Sequence, residues 1–392
     1  MRTAMRTVIF ACLMALALAD TTGTALPGYD YTFGSDVQGY LDISQDVCDI
    51  AAAADASDWA TADTLYRVGR NSIRSTGELR TLQGWAIDGS DEEAHWGLYS
   101  RYFGNDSAWL DTFITAGLEG EAPWTSDAAR AQIVKKGIQS NLLTAYMFHE
   151  VDEAVEEIEA GETDPAGGAP HVIDEAAAIY FSNKCAAGGI ADVATKRATT
   201  FGTLVAAADG TCVAPTNVAA AAALKAMQAA ALAGDVAAYS SAAMDLEKVV
   251  VTIFTQATLT YASELQEIVE AGSETAGALP DTAEAAAEGT AFFRTIAPLV
   301  AQVSEEDAAT ISALLAAPTA TMAGEVSTQL LVGVEEAVQL AAGFVQGVFS
   351  HMPFNSFVVA QISDAFQATL DAYAITPAEL GTLNAASACT TA

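Results

Sequence analysis

The spacing of apolar residues is the feature that most constrains how this chain can fold. Alanine, leucine, glutamate and glutamine dominate long stretches in which apolar residues recur every three or four positions, as on one face of an α-helix. Few segments alternate with a period of two, and clusters of Gly, Pro and Asp separate the stretches. The spacing therefore predicts an all-α chain. The predicted helical stretches run over 36–80, 127–160, 171–182, 216–272, 281–303 and 305–375.

The order of short segments indicates a diverged internal duplication. The segments 157–161 and 174–178, separated by a Gly/Pro turn, recur in the same order about 110 residues later. We therefore predict two helical-bundle repeats in tandem, with a Trp- and Gly-rich insertion in the first. The predicted units are a first repeat over 20–187 with the insertion at 74–129, a linker over 188–215 and a second repeat over 216–392.

The N-terminus has the pattern of a secretory signal. Arg2 and Arg6 precede an uncharged apolar run over 7–19 that ends in an Ala-x-Ala cleavage pattern. The run is shorter than the ~20 residues that a membrane-spanning helix needs. A buried N-terminal helix is the alternative, but the run has no polar face. We therefore predict a signal peptide over 1–19 and a secreted protein of the periplasm or cell-wall space.

The charge balance restricts the partners of the chain. The sequence has 50 acidic and 16 basic residues, for a net charge of −34. Such a surface repels nucleic acid and anionic lipid, so we expect neither a nucleic-acid partner nor direct membrane insertion. It attracts cations, although an acidic surface is also explained by solubility in a saline medium.

Five cysteines are present, and Cys12 lies in the predicted signal peptide. The other four predict two disulfides in an oxidising compartment, for which three pairings are possible. We expect the local pair Cys185–Cys212, leaving Cys48–Cys389 to join the two ends. The sequence has no CxxC motif or Cys/His cluster of the kind that holds structural zinc.

The segment 146–159 is the most distinctive candidate site. It predicts an amphipathic helix on which Tyr146, Glu150, Glu153 and Glu157 fall within about 60° of one another, with His149 beside them. The alternative is a solvated acidic face. However, carboxylates one turn apart repel each other, and no lysine in this segment relieves them.

The following segment supplies a second set of potential ligands. Pro170 suits the first turn of a helix, and His171 and Glu175 follow on one face with Asp174 beside them. In an antiparallel hairpin these side chains lie level with the end of the acidic helix, and helical bundles build iron sites in this way. The predicted metal ligands are His149, Glu150, Glu153, Glu157, His171, Asp174 and Glu175.

The second repeat is a weaker candidate for a metal site. Thr260 and Asp281 stand where the first repeat has His149 and His171. We therefore predict one site, in or beside the first repeat, and not two equal sites.

Two further segments, 66–74 and 91–102, are candidates for binding an anion or a metal ion. The segment 66–74 contains Tyr66, Arg67 and Arg70, and guanidinium groups bind planar oxyanions through two hydrogen bonds. Surface ion pairing is the alternative for these arginines. The segment 91–102 places His95 among acidic residues, with Tyr99 and Tyr102 as possible phenolate ligands.

These features together resemble a known family. The segment 66–72, the helix 149–161 and the Gly-Ala-Pro-His turn before 174–176 are similar to segments of the secreted low-iron-inducible iron-assimilation proteins of algae, which are related to the phytotransferrins. The resemblance implies ferric iron binding with carbonate as a second, synergistic ligand, for uptake under iron limitation. It implies an anion site at Tyr66, Arg67 and Arg70. The metal positions that it implies are His149, Glu150, Glu153, His171 and Glu175.

Three classes of function compete. An iron-binding uptake protein, whose partners are the metal ion and a membrane receptor or a ferric reductase and permease system, is favoured. A non-catalytic acidic protein of the cell wall or matrix is the alternative. A metallohydrolase using His149 and Glu153 is less favoured, because the sequence lacks HExxH, G-x-S-x-G and P-loop motifs. We therefore expect no enzymatic activity.

Overall fold

A computed structural model describes residues 20–182, 184–185, 188–207, 210–270, 279–322 and 356–389. The predicted signal peptide lies outside these residues. So do the turn at 271–278 in the second copy of the proposed duplication and residues 323–355 of the last predicted helical stretch.

The described chain is almost entirely helical, which confirms the predicted all-α class. Its first half has helices α1 (Gln38–Asp55), α2 (Trp59–Val68), α3 (Leu82–Ala86), α4 (Ala94–Tyr102), α5 (Trp109–Glu119), α6 (Asp127–Lys136), α7 (Leu143–Ala160), α8 (Ala169–Phe181) and α9 (Ile190–Thr200), with a π-helical segment, Gly137–Leu142, joining α6 to α7. Its second half has α10 (Pro215–Ala233), α11 (Val236–Glu270), α12 (Leu279–Val303), α13 (Glu305–Met322), α14 (Ser356–Ala372) and α15 (Pro377–Leu380).

Within the described residues, strands are limited to one short pair. Strand β1 (Val205–Ala206) pairs antiparallel with β2 (Cys212–Val213) between α9 and α10. Among the described helices, none combines the length and the apolar character that crossing a bilayer requires.

Local sequence explains where the helices end. Helix α7 stops at Gly161, which adopts a left-handed conformation with φ of 81°. Helix α2 stops at Gly69, with φ of 69°, and a Cβ there would lie 2.3 Å from the Arg80 carbonyl oxygen. The predicted continuation of this helix to residue 80 is wrong, because the chain must turn sharply at Gly69 for the following segment to approach.

One contiguous hydrophobic core extends through both halves of the described chain. Trp85, Trp96 and Trp109 of the Trp-rich segment are buried in it. Helix α6 packs against α12, and α7 packs against α11. The segment at 74–129 therefore contributes to the core and is not a surface addition. The tandem repeats and their boundaries stay a prediction.

The cysteines pair differently from the prediction. Cys48 pairs with Cys185, and Cys212 pairs with Cys389. Helix α8 packs against α1, so the residues after α8 return to Cys48. The Asn384 amide donates to the Thr200 carbonyl at 2.8 Å, and this contact holds the C-terminus near the strand pair that carries Cys212. The expected pairs Cys185–Cys212 and Cys48–Cys389 are wrong because nearness in sequence does not reveal which helices pack together.

Peptide mapping under non-reducing conditions tests this connectivity. We expect linked peptides that contain Cys48 with Cys185 and Cys212 with Cys389. Each bond closes a loop of more than 100 residues, so reducing either should destabilise the protein by about 2–5 kcal/mol. A linked Cys185–Cys212 peptide from the native protein would contradict the pairing.

Candidate metal centre

A polar cavity of about 420 Å³ opens where α1, α7 and α8 meet the Trp-rich segment. Nine side chains line it, of which six are carboxylic acids, two are phenols and one is an imidazole, and none of the described lining residues is a lysine or an arginine. The lining residues are Tyr40, Asp88, Glu93, Tyr146, His149, Glu150, Glu153, Glu156 and Glu175.

The hairpin of α7 and α8 supplies most of this lining. Helical periodicity places Tyr146, His149, Glu150 and Glu153 on one face of α7, and all four line the cavity. The two helices pack together, and the antiparallel return of α8 brings Glu175 to the same cavity. The structure thus brings four of the seven predicted ligands together, and their role as ligands stays a prediction.

Glu150 is the most deeply buried acid of the cavity, with 1% of its surface exposed. Burial raises its pKa well above the ordinary value, and the charges of Glu175 and Glu153 raise it further. It shares hydrogen bonds with the Tyr40 hydroxyl and with Glu175. Glu150 therefore keeps a proton at pH values where an exposed glutamate has lost it.

The two phenols are held in fixed positions. Tyr146 stacks on Trp85 with ring centroids 4.2 Å apart and an interplanar angle of 8°, and Trp85 also contacts Tyr40. Burial and the neighbouring Glu150 raise the pKa of both phenols. Both are therefore neutral donors in the absence of a nearby cation.

The Trp-rich segment contributes two acids that sequence reasoning missed. Glu93 Oε2 lies 2.9 Å from His149 Nδ1 and forms a hydrogen bond with it. The Tyr146 hydroxyl donates to Asp88 Oδ2 at 3.3 Å. Burial is the largest single influence on His149 and lowers its pKa, but the hydrogen bond to Glu93 and the charges of Glu93, Glu153 and Asp88 together raise the pKa overall. Neither acid follows a helical pattern with α7, so only the acidic composition of the segment pointed to them.

His171 and Glu157 lie beside the cavity but do not line it. His171 Nε2 lies 3.2 Å from Glu175 Oε1, and its Nδ1 lies 2.8 Å from the Ser35 hydroxyl. His171 therefore orients Glu175. Burial and the charge of Glu153 raise the pKa of Glu157, and its Oε2 is buried with no hydrogen-bond partner among the described residues.

Asp174 has a structural role in the described chain. Its fully buried carboxylate accepts hydrogen bonds from the Tyr31 hydroxyl at 2.7 Å, the Gly34 amide at 2.8 Å, the Ser35 hydroxyl at 2.7 Å and the Gln228 amide group at 2.6 Å. These bonds fasten the N-terminal segment and α10 to α8. Asp174 does not line the cavity.

The predicted anion site at Tyr66, Arg67 and Arg70 lies away from the cavity lining. The Tyr66 hydroxyl donates to Asp111 at 2.9 Å, Arg67 pairs with Asp63 at 2.7 Å and with Glu119 at 3.7 Å, and Arg70 pairs with Asp49. These contacts correspond to the ion-pairing alternative.

Arg80 is a basic residue that lies next to Tyr40, one of the residues that line the cavity. Its guanidinium carbon lies 4.4 Å from the centroid of the Tyr40 ring. No sequence pattern pointed to Arg80, because it lies in the non-helical segment after Gly69.

The group around His95 forms a separate buried ion pair. His95 Nδ1 lies 2.8 Å from Asp152 Oδ1, and its Nε2 lies 3.4 Å from Glu247 Oε2. Burial lowers the pKa of His95, but hydrogen bonds to these two acids outweigh burial and raise it to about 9. The Tyr99 hydroxyl donates to the Thr295 carbonyl at 2.6 Å. This group therefore joins α4, α7 and α11, and it does not line the cavity.

In the second helical hairpin, α11–α12, basic side chains lie close to the acidic ones. Lys136 Nζ lies 3.2 Å from Glu288 Oε1, and the positive charge of Arg197 acts on Glu264. The acids of this hairpin thus have basic partners that the cavity lacks. One site, in or beside the first repeat, stays a prediction.

The acids line the same cavity, but their oxygen atoms are not arranged around a common point where a metal ion could bind. Within the described ranges, no group of three or more His, Cys, Asp or Glu side chains is arranged to hold a metal ion as it stands. The cavity therefore presents hard donor atoms that would have to move inward to coordinate a cation.

Comparison with known proteins identifies one family. The model of the family described as low iron-inducible periplasmic protein (Fea1) matches residues 5–270. No curated protein and no solved structure matches the chain. All nine residues that line the cavity lie within the matched region.

Replacing the buried acid tests the electrostatics of the cavity. Because the folded pKa of Glu150 exceeds the unfolded value of 4.5, its contribution to stability falls as pH rises through the interval between them. Glu150→Gln should therefore stabilise the iron-free protein at neutral pH by about 1–3 kcal/mol. The gain should disappear near pH 4, as measured by urea unfolding.

The matched control is Glu159→Gln, which removes an exposed acid from the same helix. It should change the free energy of unfolding by less than about 0.5 kcal/mol. A Glu150→Gln protein that is less stable than wild type at neutral pH would contradict the buried, proton-holding Glu150.

Proposed function

Because the chain belongs to the low iron-inducible periplasmic protein (Fea1) family, we propose that it binds ferric iron for uptake under iron limitation. It acts as a binding protein, without catalysis, and delivers the ion to a membrane receptor or to a ferric reductase and permease. The observation that carries the proposal is the cavity of six acids, two phenols and one imidazole, with no lysine or arginine in its described lining.

The donor atoms of the cavity suit a hard cation. Carboxylate and phenolate oxygens bind hard, highly charged ions, whereas soft ions prefer thiolates. The four cysteines in the described chain are consumed in disulfides. Oxygen chemistry thus favours ferric iron over copper or zinc.

The raised pKa values fit a site that exchanges protons for a cation. Burial keeps Glu150, Tyr40 and Tyr146 protonated while the local charge is negative. A bound multivalent ion reverses this balance, because it stabilises the deprotonated forms at short range. Iron binding is therefore expected to release protons and to draw Glu150, Glu153 and Glu175 inward.

A small oxyanion completes the proposed coordination. Ferric iron hydrolyses readily, and a carbonate that occupies two positions would exclude hydroxide. Arg80 beside Tyr40 supports this role better than Arg67 and Arg70, whose guanidinium groups already have carboxylate partners. The relation to phytotransferrins stays a prediction.

Iron titration of matched double variants tests the proposed site. With iron supplied as the ferric nitrilotriacetate complex, Glu150→Gln with Glu175→Gln should lower affinity about 100-fold or more, because two hard donors are lost. Equilibrium dialysis with elemental analysis measures the affinity. The control, Glu264→Gln with Glu284→Gln, makes the same charge change in the α11–α12 hairpin and should bind as wild type does.

The pH dependence of the same titration has a defined sign. The raised pKa values of Glu150, Glu153 and His149 mean that protons compete with iron at a higher pH than for exposed acids. Affinity should therefore fall from neutral to mildly acidic pH. Equal loss in both double variants, or wild-type affinity in the Glu150/Glu175 variant, would exclude this cavity as the iron site.

Removal of bicarbonate tests the anion. We expect wild type depleted of bicarbonate and Arg80→Gln in bicarbonate buffer to show similar losses, of about 10-fold, in iron affinity. The double variant Arg67→Ala with Arg70→Ala is the comparison, and a loss there instead would assign the anion to the predicted 66–74 segment. Binding that is independent of bicarbonate in every variant would show that carbonate has no role.

A further inference from the structure

A second, smaller cavity lies between the end of α4 and helices α12 and α13. Its volume is about 90 Å³, which is room for several water molecules. It is lined by Tyr102, Phe103, Thr290, Arg294, Ser312 and Leu315, among others. It shares no lining residue with the carboxylate cavity.

Arg294 is the only charged residue among those that line this small cavity in the described structure. Aromatic rings surround its guanidinium carbon, with the Phe103 centroid at 3.6 Å and the Phe113 centroid at 4.4 Å. Its Nη2 donates to the Trp109 carbonyl oxygen at 3.0 Å. No described carboxylate lies within ion-pair distance of Arg294.

The hydrogen-bonding capacity of the cavity is incompletely used. Arg294 Nε is buried and has no hydrogen-bond partner, and the buried Thr290 hydroxyl also has none among the described residues. A buried donor without a partner costs free energy, and an unpaired buried charge costs more. The chain has 50 acidic residues, yet none of the described ones forms an ion pair with this guanidinium, and Asp106 acts on it only from beyond ion-pair distance.

We propose that this cavity binds a small, planar, singly charged oxyanion of the carboxylate type on Arg294. A guanidinium presents a planar pair of donors to such an anion, and the Thr290 hydroxyl supplies a further donor. The aromatic walls and the volume of about 90 Å³ exclude large or strongly hydrated polyanions. The proposal is independent of iron binding.

The negative charge of the whole protein does not prevent this binding. Salt at physiological strength screens the field of exposed acids beyond about 8 Å. Inside the cavity the short contact with Arg294 is weakly screened. The aromatic contacts compensate the cation in part, since cation–π pairs contribute ~0.5–2 kcal/mol, but they leave the buried Nε without an acceptor.

Calorimetric titration of the iron-free, full-length protein tests the proposal. Sodium acetate and sodium nitrate are the planar probes, sulfate is the tetrahedral comparison, and sodium chloride keeps the ionic strength constant. We expect saturable binding of either planar anion to one site and at least 10-fold weaker binding of sulfate. Acetate binding without nitrate binding would narrow the ligand to organic carboxylates, whereas nitrate binding without acetate binding would overturn the carboxylate assignment.

Three variants locate the binding. Arg294→Gln should abolish it, whereas Arg101→Gln removes an exposed charge from α4 and should leave it unchanged. Thr290→Val replaces an unpartnered hydroxyl with a group of equal size, so the fold should be retained and affinity should fall about 3–10-fold. If Arg294→Gln does not fold, the anion affinity of Thr290→Val tests the location of the site instead. Absence of saturable binding in wild type, or wild-type affinity in the folded Arg294→Gln or Thr290→Val protein, would overturn the proposal.

Discussion

Helix α7 must satisfy two different environments at once, and the rest of the structure depends on how it does so. Its apolar face, with Met147 and Val151, lies in the core that joins both halves of the described chain. Its polar face places Glu150 in a cavity where burial penalises the charged form. Around this helix the remaining contacts are arranged: Asp152 binds His95 of α4, and the Val151 carbonyl accepts from Tyr239 of α11. A helix held on several sides can keep acids close together despite their repulsion.

The distribution of cations decides which acidic cluster can attract an ion. In the α11–α12 hairpin, Lys136 pairs with Glu288, and Arg197 lies near enough to act on Glu264. In the α7–α8 hairpin the described lining contains no lysine or arginine, so proton uptake and His149 relieve much of the negative charge. The two hairpins share helical geometry and acidic composition. They differ in whether the protein itself supplies the positive charge, and the proposed cation site is placed in the α7–α8 hairpin for that reason.

Sequence reasoning identified the acids that α7 and α8 contribute to the candidate site, but not the residues that other segments contribute. The period of α7 predicted that Glu150 and Glu153 share one face, and the turn before α8 predicted that Glu175 lies alongside the end of that helix. Asp88 and Glu93 come from irregular segments, and Tyr40 comes from a helix more than 100 residues away in sequence, so no local pattern links them to the cavity. Asp174 illustrates the converse error. It lies beside Glu175 in sequence, yet its carboxylate is directed to Tyr31, Ser35 and Gln228.

The amino-acid sequence by itself determined the all-α class, most helix positions, the acidic face of α7 and the membership of a secreted, low-iron-inducible family. These properties follow from local periodicity and from short segments whose order is visible along the chain. Only the tertiary structure decided the pairing of Cys48 with Cys185, the burial of the Trp-rich segment, the position of Arg80 beside Tyr40 and the solitary charge of Arg294. Each of these depends on which helices pack together. That choice is made by the complementarity of whole surfaces, to which residues distant in sequence contribute equally.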